Sequence, residues 1–186
     1  MKKLLIPLFF IGYALTMQSC KKAVTDYVAT NPILQADINS ALWTPDTVSA
    51  SITYNSAANT RTFYCIGTYE QKRVTLQVTQ RGGATSVGYP AGTYTVDATP
   101  NVALTYYTQQ KNSNGEYVFA PQGTISPGSG SVTVSSVDTL KRTITGTFQF
   151  TPTTKTFDSS GNLTSINVIN VNVGVFNALP YQFSRQ

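Results

Sequence analysis

The chain has 186 residues, with 13 Lys or Arg against 8 Asp or Glu, no histidine and two cysteines. Only 11% of it is charged, and the cations are scattered rather than gathered into the stripe that nucleic-acid binding requires, so no nucleic-acid partner is expected. Without histidine there is no Ser-His-Asp arrangement and no favoured zinc ligand, and two cysteines cannot make a disulfide scaffold.

In chain order the first feature is the basic head Lys2-Lys3, the apolar run Leu4 to Leu15, and then Ser19-Cys20. The run is too short for the roughly 20 apolar residues of a membrane span, and it fits the core of an export signal. Ser19 before Cys20 resembles the bacterial lipoprotein signal, the lipobox, with the Ser-Cys ending similar to signals of the Bacteroidetes. Met17 departs from the usual leucine, and Gln18 is bulkier than typical.

The resemblance implies that residues 1–19 are removed, that Cys20 carries the lipid, and that the protein sits on the outer membrane, on its periplasmic face or at the cell surface. Each buried methylene contributes roughly 0.8 kcal/mol, and stable anchoring takes more than one chain. An ordinary cleaved signal and a retained N-terminal helix are the alternatives. Removing 19 residues leaves 167, with 11 cations against 8 acids, enough for one domain with a core. Residues 20–35 read as lipidated cysteine and tether, and 36–186 as one domain. Lys21-Lys22-Ala23-Val24-Thr25-Asp26 lacks the acidic run that similar surface-directed lipoproteins carry.

The domain is rich in Thr, Ser, Asn, Tyr and Val and poor in helix formers, which predicts an all-β fold. Asn39-Ser40 is a turn between two short apolar pieces, the second ending in Trp43. Val48–Tyr54 alternates as a strand. Arg61–Tyr69 and Arg73–Gln80 form the clearest hairpin, with Val74, Leu76 and Val78 on one face. Gly88–Thr93 turns into a short strand. Val102–Gln109 places Leu104 and Tyr106 on one face and Tyr107 on the other, and Asn112–Gly115 turns into Glu116–Ala120, a hairpin of the Asn-Gly kind. Thr143–Phe150 is the most regular strand, with Ile144, Gly146, Phe148 and Phe150 in phase. Pro152–Leu163 reads as a loop with its tip at Asp158–Asn162. Ile166–Phe176 reads as one strand with a bulge near Val168-Ile169 and with Val171, Val173 and Val175 sharing a face. Tyr181-Gln182-Phe183 closes the chain. Such spacing predicts an antiparallel β-sandwich, with a small β-barrel as the alternative.

The Ala36–Trp43 segment, Gly92-Thr93-Tyr94, Val137-Asp138 before Ile144–Phe150, and Gly174-Val175-Phe176-Asn177 together resemble a family of small Bacteroidetes lipoproteins of unknown function, over most of residues 36–183. Two departures stand out. Relatives often have glycine at the position of Ser40, and a Thr-Asp/Asn-Gly turn where this chain has Val171-Asn172-Val173. The family brings no catalytic residues.

Chemistry is sparse. Cys65 lies alone in a strand-like run with no base to activate it, and reads as buried and structural. No acidic calcium loop is present, and the glycine-rich segments lack the strand-to-helix context of a phosphate loop. No metal and no cofactor are expected, and no enzyme activity; a glycosidase using two of the eight acids is the weakest reading. Lipid attachment at Cys20 is the one modification the sequence supports. The expected function is a lipid-anchored, non-enzymatic envelope protein, with the membrane and another envelope protein as partners. The alternative is carbohydrate binding through exposed aromatics, for which Trp43, Tyr106 and Tyr107 are the candidate ligand-binding residues.

Overall fold

The computed structural model describes residues 32–82 and 88–186. The export signal, Cys20 and most of the tether lie outside the described residues. Every regular element among the described residues is a strand, numbered here along the chain.

The first sheet has the spatial order β2 (Ala41–Trp43), β1 (Leu34–Ile38), β13 (Val171–Pro180), β10 (Thr143–Phe150), β9 (Gly130–Asp138) and β6 (Gly92–Thr95). The second has the order β14 (Gln182–Arg185), β3 (Thr47–Asn55), β4 (Thr60–Tyr69), β5 (Lys72–Arg81), β7 (Val102–Lys111) and β8 (Tyr117–Pro121). Each sheet keeps two free edges, so the domain is a sandwich and not a closed barrel. All pairings are antiparallel except β14 with β3, which run parallel. A further hairpin, β11 (Thr153–Phe157) with β12 (Leu163–Val168), belongs to neither sheet.

The alternating residues supply the core. Val74, Leu76 and Val78 of β5 and Ile144, Phe148 and Phe150 of β10 are all buried, and they meet across the sandwich with Phe63, Val132, Val134 and Phe176. Leu34 is 1% exposed, so the domain begins in β1, two residues before the boundary expected at 36. The backbone there is clamped by Asn177, whose N–H donates to the Ile33 carbonyl at 2.9 Å and whose Nδ2 donates to that of Pro32 at 3.3 Å.

Two expectations in the last third of the chain are corrected. Pro152–Leu163 is not a loop: it holds β11 and the turn of the β11–β12 hairpin, with the expected tip at Asp158–Asn162 closed by Asp158, whose Oδ1 accepts from the N–H groups of Ser160 and Asn162. Nor is Ile166–Phe176 one strand. The chain breaks at Ile169-Asn170, and the bulge lies further on, where Phe148 pairs with Gly174 but Phe150 pairs with Val171. Three steps along β13 oppose two along β10, which places an extra residue at Asn172-Val173, and Val173 has φ of 50°. One added residue turns the following side chains over, so Val173 is 68% exposed while Phe176 is fully buried. A second extra residue near Ala178, φ 43°, restores the phase and brings Leu179 inward.

Gly146 shows how tightly the layers meet. A Cβ there would collide with the Thr133 carbonyl oxygen and the Phe176 ring, and only glycine leaves that space empty.

The Asn39-Ser40 turn of the β1–β2 hairpin has φ of 51° and 67°. Positive φ at both central positions suits asparagine followed by glycine, and Ser40 holds the left-handed conformation against its own Cβ, a strain of roughly 1–2 kcal/mol. Ser40→Gly is expected to stabilise the domain by about 0.5–1 kcal/mol once glycine's greater unfolded-state entropy is set against the strain, read as a higher urea midpoint at unchanged m-value. Burial pushes the Cys65 thiol from its ordinary 9.0 up to about 12. The native state keeps this proton while the unfolded chain loses it above pH 9, so the contribution is intact below that pH. Stability then falls between pH 9 and 12, by up to about 1.4 kcal/mol per unit for one proton. Urea unfolding across that range should give a shallower pH slope for Cys65→Ala than for wild type, whatever the variant's absolute stability; equal slopes would show that another group titrates.

Candidate binding face

Of the expected ligand residues, two are withdrawn from solvent. Trp43 is 2% exposed, its ring seated over Gly67, where any Cβ would run into Trp43 and Leu34. Tyr106 is 5% exposed because it shares the inward phase of Val102 and Leu104. Rings this far buried offer no open face for stacking on a sugar, so the exposure expected of Trp43 and Tyr106 is not found. Cys20 lies outside the described residues. Cys65 is buried and free, without the exposure a reactive thiol needs.

Tyr107 is different. It points from β7 to the outer face of the second sheet and remains partly exposed. The register fixes its neighbours: Tyr107 pairs with Arg73 of β5 on one side and Pro121 of β8 on the other. Along β8 the same outer phase carries Phe119 and Tyr117, so rings at alternate positions stand about 6.8 Å apart. Tyr117 is 62% exposed. From β4, Tyr64 lies on the same outer face, opposite Gln77: its hydroxyl is held above the ordinary tyrosine value first by burial and then by Tyr107, with the Arg73 guanidinium pulling the other way. Register makes Arg73 and Tyr107 direct cross-strand neighbours, and both act electrostatically on Tyr64 across the same face.

Two cations brace the rings. The Arg73 guanidinium carbon sits 3.8 Å from the Phe119 ring centroid, and its Nε donates to Thr68 Oγ1 at 3.2 Å. The Lys111 ammonium lies 5.3 Å from the Tyr117 centroid. Each such stack contributes roughly 0.5–1 kcal/mol at an exposed site, and together with the Thr68 bond they fix Arg73 with its η nitrogens left to hydrogen-bond a ligand. Thr75 forms the floor. Although it faces outward, it is only 8% exposed, covered by the long side chains around it. Beyond the patch the face is a lawn of Ser, Thr and Gln, including Ser49, Ser51, Thr53, Thr62, Gln77 and Thr79.

Alternation alone placed Tyr107 opposite Tyr106. It missed Tyr64, Arg73, Tyr117 and Phe119, whose adjacency depends on the pairing of four strands. The signal that could have found part of it is Tyr117-x-Phe119 immediately after the Asn-Gly turn, since hairpin register carries both onto the face of Tyr107.

Among several clefts, one of about 300 Å³ lies beside the inner edge of β7, lined by Val96, Leu104, Tyr106, Gln122, Thr124 and Ile125. It holds no charged side chain. The acids serve turns instead. Asp97 accepts from the Thr99 N–H and hydroxyl, which hold its carboxyl below the usual range. Asp158 is lowered in the same way by Asn162, Asp138 caps the N–H groups of Leu140 and Lys141, and Glu116 accepts from Asn112. A glycosidase needs one carboxyl raised to act as acid, whereas Asp97 and Asp158 are both lowered. Among the described residues no group of three or more His, Cys, Asp or Glu could hold a metal ion.

No curated protein and no solved structure matches the chain. Residues 30–180, which cover both sheets but for the last strand, match the model of a domain of unknown function, and the chain therefore belongs to the DUF6252 family.

Proposed function

We propose that this protein is a lipid-anchored component of the cell envelope whose β-domain binds rather than catalyses, and that its ligand is a saccharide chain laid along the Tyr107, Phe119 and Tyr117 ridge. The observation that carries the reading is the ridge itself: aromatic rings in line on an outer sheet face, braced by Arg73 and Lys111 and surrounded by hydroxyl and amide side chains. The apolar C–H face of a sugar ring packs on an aromatic face, while its hydroxyls need many donors and acceptors nearby. A surface of Tyr, Phe, Arg, Thr and Gln meets both requirements, and an extended ligand suits a flat sheet better than a pocket.

The anchoring half rests on the Ser19-Cys20 signal and on the resemblance to Bacteroidetes lipoproteins. Lipid on Cys20 would place the domain at the outer membrane, facing the periplasm or the cell surface, with the membrane as its first partner. No cofactor enters this reading, and another envelope protein is the alternative occupant of the same face.

Each half has its own test. Cys20→Ser should move the protein from the membrane fraction to the soluble fraction, and retention in the membrane would overturn the anchor. The same soluble variant, applied to a glycan array, should retain a saccharide class whose signal falls at least about tenfold on Tyr107→Ala with Phe119→Ala, in keeping with the loss of two stacking faces worth about 1 kcal/mol each. An array with no signal above background, or one that the double substitution leaves unchanged, would remove the saccharide.

A further inference from the structure

The second notable arginine is buried. Arg61, the second residue of β4, faces inward and is 4% exposed. Its Nη1 donates to the Gly88 carbonyl at 3.0 Å, while Nε and Nη2 are sealed from solvent with no hydrogen-bond partner. Those two nitrogens are the pair whose N–H bonds run parallel along one edge of the guanidinium, the edge that grips a carboxylate or phosphate through two bonds at once. A guanidinium cannot shed its charge by titrating, and leaving a buried cation uncompensated costs several kcal/mol.

The surroundings add positive charge. Arg61 pairs with Tyr54, which pairs with Arg185, and the Tyr54 ring lies between them, 5.8 Å from the Arg61 guanidinium carbon and 5.7 Å from that of Arg185. Ring electrons offset part of the cost of burying Arg61, but a ring face supplies no acceptor to the free edge. Every acid among the described residues is placed on a turn or an outer phase, and residues 83–87, Gly-Ala-Thr-Ser-Val, contain none.

We propose that the Nε–Nη2 edge of Arg61 is the seat of a small oxoanion, of the carboxylate or phosphate class, bound at this end of the sandwich. The site is independent of the aromatic ridge, which lies on the opposite face of the same sheet. It stands on the last inward-facing row of β3, β4 and β5, formed by Tyr54, Arg61 and Gln80. Strand ends open locally at small free-energy cost, and such an opening admits an ion of this size.

The test uses the Cys20→Ser protein at constant ionic strength, with chloride exchanged for millimolar phosphate in one arm and acetate in another. Low concentrations keep the general stabilising effect of excluded salts out of the reading. With Arg61 intact in that background, Tm should rise saturably by a few degrees at about ten times the dissociation constant. The rise should vanish in Arg61→Gln and shrink in Arg61→Lys, which keeps the charge and loses the fork. Because Arg61→Gln can fail to fold, the Arg61 Nε–H resonance of the otherwise unaltered Cys20→Ser protein, found by ¹⁵N NMR, serves as the second readout and should shift along the same saturation curve. A response to phosphate alone or to acetate alone identifies the source. If neither anion moves Tm or the Nε–H resonance beyond chloride, the edge is satisfied by water and the proposal falls.

Discussion

The contact on which the sandwich depends is the Phe176 ring, seated over Gly146 within its own sheet and lying 5.6 Å from the Phe63 ring of the opposite sheet. Burying a phenylalanine contributes roughly 1.5–3 kcal/mol, yet Phe176 faces inward only because β13 carries an extra residue at Asn172-Val173. Without that bulge the phase set by Val171 would send Phe176 to solvent and Val173 to the core. The left-handed backbone at Val173, unfavourable for a β-branched residue, is therefore the strain that lets one central strand serve both β1 and β10 and still deliver Val171, Phe176 and Leu179 to one core. Gly146 is the complementary concession on β10. It gives up a side chain so that the ring can lie against the sheet backbone.

This dependence explains which parts of the fold were legible in the sequence. In the middle of β5 and throughout β10 every second residue is apolar or glycine and buried, so periodicity read them with their faces correct. In β13 Val171, Val173 and Val175 mimic the same alternation, and nothing local distinguishes the residue that the bulge expels. The β11–β12 hairpin failed for the opposite reason. Paired with neither sheet, it has no buried face to impose alternation, so its Thr-rich first arm reads as polar loop and the end of its second arm merges with the strand that follows. Turns were legible wherever a side chain closes them: Asn112 accepts from the N–H groups of Asn114 and Glu116, and Asp138 does the same for Leu140 and Lys141. The candidate site was half legible, because alternation separates Tyr106 from Tyr107 but cannot assemble Arg73, Phe119 and Tyr64 from three other strands. Trp43 is set by a distant partner as well, the empty space above Gly67.

The two arginines on β4 and β5 show one sheet treating the same side chain in opposite ways. Arg73 faces out, stacks on Phe119, bonds Thr68 through Nε and keeps its η nitrogens in reach of water, so its charge carries little penalty. Arg61 faces in, and the Gly88 carbonyl satisfies one nitrogen of three. A chain that spends charge so sparingly, 11% of its residues, does not need a guanidinium in its core for solubility, and a methionine or leucine would fill comparable space without the desolvation penalty. The side-on edge is what those residues lack. An oxoanion on that edge would convert the least favourable group in the interior into a paired one, and would leave the outer face free for a neutral, hydroxyl-rich ligand. On that proposal the two ligands would meet opposite sides of a single sheet, one along an exposed aromatic row and the other at a guanidinium buried beneath the strand ends.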